Sequence, residues 1–154
     1  MNISRTAFAL LAAAALSTVL SSCSANVSLD AAPDSNNPSC AEVTVRLPDQ
    51  VADQNKRVTD AQATGAWGDP TAVILRCGLP EVEVSTLPCV TAGGVDWLVD
   101  DSKKPSYRFI TFGRKPATEV IVDSRKVAGV TALSDLSTAI ESIQAKKQCS
   151  TVQN

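Results

Sequence analysis

Four cysteines, Cys40, Cys77, Cys89 and Cys149, bracket and divide the patterned part of this chain, and a fifth, Cys23, stands apart behind an uncharged run. An odd total leaves at least one cysteine outside any internal disulfide. The other four form an even set, which in an exported protein implies two disulfides with three possible connectivities. The expected pairs are Cys40–Cys149 and Cys77–Cys89. The first pair flanks the whole patterned region, and the second flanks a short segment containing Pro80 and Pro88. In the loop-entropy account the small ring would contribute about 3 kcal/mol and the large one nearly 5, less any strain. No CxxC occurs, which argues against a thioredoxin-type redox pair and against a zinc ribbon.

Cys23 belongs to a different pattern. Thr6 to Leu20 carries no charge, follows a short segment with one arginine, and is shorter than the roughly 20 apolar residues of a membrane span. Residues 1–22 therefore read as a signal peptide. Leu20-Ser21-Ser22-Cys23 resembles a bacterial lipobox, in which the cysteine is diacylated on sulfur and becomes the new amino terminus. Ordinary secretion with a free cysteine is the alternative. Two acyl chains hold stably where one holds marginally. Residues 23–39, rich in Ser, Ala, Asn, Asp and Pro, read as lipid anchor and flexible tether. Such a tether would reach roughly 50 Å fully extended, and about 20 Å on average. Residues 40–149 read as a single domain and 150–154 as a disordered tail.

Composition excludes much else. The net charge of −2 gives no basic footprint for nucleic acid. The absence of histidine removes Ser-His-Asp and Cys-His pairs, histidine metal ligands and imidazole bases. No phosphate-binding, nucleophile-elbow or dinucleotide fingerprint is present. Asp96, Asp100 and Asp101 are the only close carboxylates in an ordered-looking stretch, and they read as solvent-facing. No catalytic residue, metal or cofactor is expected.

Alternation locates strands. Thr71–Cys77 places Val73, Leu75 and Cys77 on one side, and Val95–Asp100 places Val95, Trp97 and Val99 on one side. Tyr107–Phe112 and Ala117–Asp123 form a hairpin around Gly113–Pro116, with Phe112 opposite Ala117, Phe109 opposite Val120 and Tyr107 opposite Val122. One hairpin face carries Tyr107, Phe109, Thr111, Thr118, Val120 and Val122. The other mixes Arg108, Glu119 and Asp123 with Ile110, Phe112 and Ile121. A helix with the stripe Leu133, Leu136, Ile140 and Ile143 covers the core, capped by Thr131. A shorter helix is expected from Pro48 to about Arg57. The result is an α+β fold, a small, mostly antiparallel sheet packed against N- and C-terminal helices and stapled by two disulfides.

Two features are candidates for binding. The turn Gly65–Pro70 presents Trp67 and Asp69, which could stack on and hydrogen-bond a sugar; the competing reading buries Trp67 in the core. The hairpin region holds Lys103, Lys104, Arg108, Arg114 and Lys115 with no acid among them until Glu119, a surface for anionic lipid or glycan or simply a solvated face. Phe112, with Ile110 and Ile121, marks a third contact surface if no helix covers it.

Taken together, the lipobox cysteine, Cys40 with Leu47-Pro48, "AWGDPTAVILRCGLP", "GVDW", "FGRKP" and the closing Cys149 resemble the actinobacterial envelope lipoproteins grouped as domain of unknown function 3515. The resemblance implies an exported lipoprotein at the outer face of the cytoplasmic membrane and carries no catalytic residues with it. The expected function is non-catalytic: an accessory module for an envelope protein, held to the membrane through diacylglyceryl-Cys23. A binding module for wall glycan or glycolipid is the alternative, and an enzyme comes last.

Overall fold

A computed structural model describes residues 25–149. The signal segment, Cys23 and the tail from residue 150 lie outside the described residues. Helix α1 (Pro38–Thr44) is followed by strands β1 (Gln50–Val51), β2 (Gln54–Arg57), β3 (Thr64–Trp67), β4 (Val73–Leu79), β5 (Cys89–Ala92), β6 (Val95–Asp100), β7 (Ser106–Thr111) and β8 (Ala117–Asp123), and then by helix α2 (Gly129–Ile140). The strands form one antiparallel sheet in the order β1-β2-β3-β4-β8-β7-β6-β5. Both helices lie on one face, α1 against β4 and α2 against β8, β1 and β5. The α+β architecture is the expected one.

The central hairpin keeps the expected register, with Tyr107 opposite Val122 and Phe109 opposite Val120. This follows from side-chain alternation, since a slip of one residue would turn every apolar side chain to the wrong face. Val73, Leu75 and Cys77 of β4, Val95 and Trp97 of β6, and Val120 and Val122 of β8 meet Leu133, Leu136 and Ile140 of α2 in a fully buried core. Ile143, just past the helix, completes that stripe.

Several expectations are corrected. Residues 48–57 form no helix: β1 and β2 make a tight hairpin whose central residues, Ala52 and Asp53, have φ of 47° and 61°. Two consecutive left-handed residues are the mark of a type I′ hairpin turn. The segment has a proline start signal but too few apolar residues for a helical stripe. The first helix lies earlier, where the Asn37 side chain accepts a hydrogen bond from the Ser39 amide and Pro38 opens the first turn. Helix α2 starts at Gly129, with Ala128 rather than Thr131 at its N-cap and no side-chain cap.

The disulfides pair Cys40 with Cys77 and Cys89 with Cys149, at Cα separations of 5.5 and 6.2 Å. The sheet order explains why Cys77 cannot reach Cys89. Strands β4 and β5 are separated by β8, β7 and β6, about 19 Å at a strand spacing near 4.8 Å. A disulfide needs Cα atoms within about 7 Å. Cys40 instead lies on α1 directly over β4. Cys149 folds back over β6, where its amide donates to the Asp96 carboxylate at 2.8 Å.

The tether is also shorter than expected. From Ala25 onward the chain is strapped to the domain. Val27 bridges Thr59, its amide donating to Val58 at 2.8 Å, and the Asp34 amide donates to Gly78 at 2.9 Å. Ala32 and Ser35 are buried. A Cβ on Gly78 would lie 2.5 Å from the Asp34 backbone and would need φ of +112°, so glycine there admits the strap.

Candidate functional site

The face of the sheet away from the helices is covered unevenly. Leu79, Val82 and Leu87, from the end of β4 and the loop after it, pack with Phe112 on Leu98, Ile110 and Ala117. Ile110 is thereby buried and Phe112 partly so, which leaves only a reduced apolar contact surface. The strap crosses the opposite part of this face, where Asp30 accepts from Arg76 Nη1 at 3.3 Å. Between these covers lies a cleft of about 280 Å³, lined by Arg76, Asp100, Ser102, Lys103, Ser106, Arg108, Glu119 and Ile121.

Strand pairing assembles its floor. Arg76 of β4 lies directly opposite Glu119 of β8, and Arg108 of β7 lies opposite Ile121. Glu119 is almost completely buried. One carboxylate oxygen accepts from Arg76 Nε and the other from Arg108 Nε. A buried carboxylate is tolerable only with such partners. Arg108 spends one donor on this contact, so its two terminal amino groups have no hydrogen-bond partner among the described residues. Asp100 accepts from the Ser102 amide at 3.0 Å. Bonds from the Ser102 hydroxyl and amide hold its carboxyl below the usual range, aided by nearby Arg108 and Lys103. The lining thus sets three cations against two carboxylates, both already engaged. Such a cleft is suited to a carboxylate or phosphate, which arginine recognises through paired donors.

Replacing Glu119 with alanine is expected to lower stability by about 2–3 kcal/mol, below the 3–5 seen when a deeply buried pair is broken. The reason is solvent: the arginine side chains are 30% and 38% exposed and are partly screened. A fall of roughly 10 °C in the melting midpoint would report it.

The sequence-derived candidates do not converge on one site. Trp67 is completely buried, its indole N–H donating to the Pro48 carbonyl at 3.0 Å, so it offers no ring face to a sugar. Asp69 is exposed and pairs with Arg57 at 3.1 Å. The basic residues divide between opposite ends of the hairpin. Lys103 and Lys104 lie in the turn before β7; a bond to Asp101 raises the Lys104 pKa. Arg114 and Lys115 lie in the turn after it, about 20 Å away along a six-residue strand. Arg114 is buried and donates to the Ile143 carbonyl, and burial pulls its pKa below the ordinary arginine value. Of these basic residues, Lys103 and Arg108 line the cleft. No local pattern in the sequence brings Arg76, Glu119, Lys103, Ser102 and Ser106 together. The available signal was the mixed hairpin face bearing Arg108 and Glu119; the missing fact was that β4 pairs with β8.

Among the described residues, no group of three or more Cys, Asp or Glu could hold a metal ion, and no helix is long and apolar enough to cross a membrane. Two disulfides in so small a domain fit an extracytoplasmic, oxidising compartment.

These features define a disulfide-stapled α+β module with an arginine-lined cleft on the sheet face away from its helices. The family described as protein of unknown function (DUF3515) matches residues 5–149, and the chain belongs to it. No curated protein and no solved structure matches the chain.

Proposed function

We propose that this chain is an exported, lipid-anchored, non-catalytic protein of an actinobacterial cell envelope. In this reading residues 1–22 are a lipoprotein signal peptide and Cys23 carries the diacylglyceryl group and a further acyl chain such as palmitate. The domain acts as an accessory module that receives an acidic group of an envelope partner protein in the Arg76–Glu119–Arg108 cleft. The observation that supports this is the pair of unengaged terminal amino groups on Arg108, held in place by a buried Glu119. That arrangement presents donors in a fixed position, which lowers the ordering cost of binding. A binding role is favoured over catalysis because both carboxylates of the cleft are held by hydrogen bonds from neighbouring residues. The second reading, a wall glycan or glycolipid bearing phosphate or carboxylate, draws on the Ser102 and Ser106 hydroxyls beside the cations.

Photo-crosslinking in intact cells separates the two. A probe at Ser106 is expected to capture one dominant protein, and Arg108→Glu to abolish the capture. Capture of glycan alone would move the assignment to the second reading. Equal crosslinking from Ser106 and from Lys115, at the far end of the hairpin, would remove the cleft from the function.

A further inference from the structure

The strap determines where an anchor at Cys23 would lie. Arg57 Nη2 donates to the Ala25 carbonyl at 2.8 Å, so the chain is already fixed to β2 two residues after the cysteine. Two residues span at most about 7 Å. The flexible reach expected of residues 23–39 is therefore lost, and the acyl chains would emerge beside Arg57.

Arg57 sits at the start of a continuous edge. Its Nη1 donates to Gly68 at 3.1 Å, and its guanidinium pairs with Asp69. The turn holding those residues is met by Lys126, whose Nζ donates to Pro70 at 3.2 Å and to Thr71 at 3.0 Å. The neighbouring Ser124 donates through its amide and hydroxyl to Pro105, at 3.0 and 2.9 Å. Turns 68–72, 123–128 and 101–105 are thus joined side by side. Strand register agrees, since Trp67, Val73, Val122 and Tyr107 form one row beneath them.

The surface of this edge combines cations with apolar groups. Lys103, Lys104, Arg125 and Lys126 lie on it, although Asp101 and Asp123 offset much of their charge. Beside them is a cleft of about 260 Å³ lined by Tyr107, Phe109, Val122, Ser124, Gly129 and Val130, with Val130 67% exposed. Aromatic and apolar groups among cations are the composition that favours a membrane–water interface.

We infer that the edge built from turns 68–72, 101–105 and 123–128 is the membrane-facing surface of this protein, seated on a phospholipid bilayer by the short connection from Cys23 to Ala25. The inference rests on acylation of Cys23. It also places the arginine cleft at the membrane, because Ser102 and Lys103 belong both to the edge and to the cleft. The partner's acidic group would then lie at headgroup level. Opposite this edge lie Lys115, in the turn between β7 and β8, and the exposed Lys146, whose amide donates to Gly113 of that turn at 2.7 Å.

The test uses the full acylated protein in phosphatidylglycerol–phosphatidylethanolamine vesicles containing a headgroup-level nitroxide quencher. A genetically encoded fluorescent residue is placed in turn at Lys104, Val130, Lys115 and Lys146. Quenching several-fold stronger at Lys104 and Val130 is expected; equal quenching at all four, or stronger quenching at Lys115 and Lys146, overturns the orientation. The mass of the amino-terminal peptide reads acylation separately, so a missing anchor and a wrongly assigned face give different results. Inserting 16 glycine and serine residues between Ser24 and Ala25 keeps the anchor and should erase the difference. If the difference survives the insertion, the short connection does not seat the edge.

Discussion

Replacing Cys40 and Cys77 together by alanine should remove roughly 4 kcal/mol through loop entropy alone, for a closed loop of 37 residues. Both cysteines are completely buried, so the loss of two sulfurs from a packed core adds to that figure. Domains of this size hold about 5–15 kcal/mol in total. The double variant should therefore lie close to its unfolding midpoint at 37 °C. Urea denaturation checks this: the midpoint should fall by more than half relative to the parent. A fall of less than a quarter would mean that α1 and β4 are held mainly by their apolar contacts.

Trp67→Ala should have a comparable effect. Truncating a buried tryptophan typically costs about 3–5 kcal/mol, and here it also leaves the Pro48 carbonyl without its donor. The ring is packed so closely that a Cβ on Gly65 would lie 2.6 Å from it. A Trp67→Ala protein that lost retention on wall glycan would thus report unfolding, not a missing sugar contact. Trp67→Phe separates the two: it should keep most of the packing and fall by about 1–2 kcal/mol, in the range of a lost buried hydrogen bond plus a small cavity. Thermal melts followed by far-UV circular dichroism would show both.

The sequence made the hairpin legible to the residue. Tyr107, Phe109, Val120 and Val122 alternate cleanly and fix both register and face. The helix stripe Leu133, Leu136 and Ile140 is equally plain, since apolar residues at a 3.6-residue period over about two turns have few competing readings. Strand β3 was not legible, because all four of its residues are buried and two of them are Gly65 and Ala66, so no alternation exists to read. The strap is illegible for a related reason: it attaches mostly through its backbone groups, which polar and small residues offer as well as any others. The cleft was half legible. Arg108 and Glu119 share a face by hairpin geometry, but Arg76 joins them only through a long-range strand pairing that no local pattern encodes.

The disulfide pairing has a consequence for how the chain reaches its final state. Cys40 joins Cys77 and Cys89 joins Cys149, so each cysteine of the domain is bonded to its immediate neighbour along the chain. The two rings follow one another and neither encloses the other. For a polypeptide threaded amino terminus first through a translocation pore, the first ring can close before the third cysteine has emerged. With Cys23 withdrawn from the thiols by the acylation proposed above, an oxidant that joins thiols in order of arrival would then produce the native bonds directly. Nested pairing of the same four residues would have required the first cysteine to wait for the last, with shuffling as the hazard. Vectorial export and correct oxidation are compatible in this chain without an isomerase.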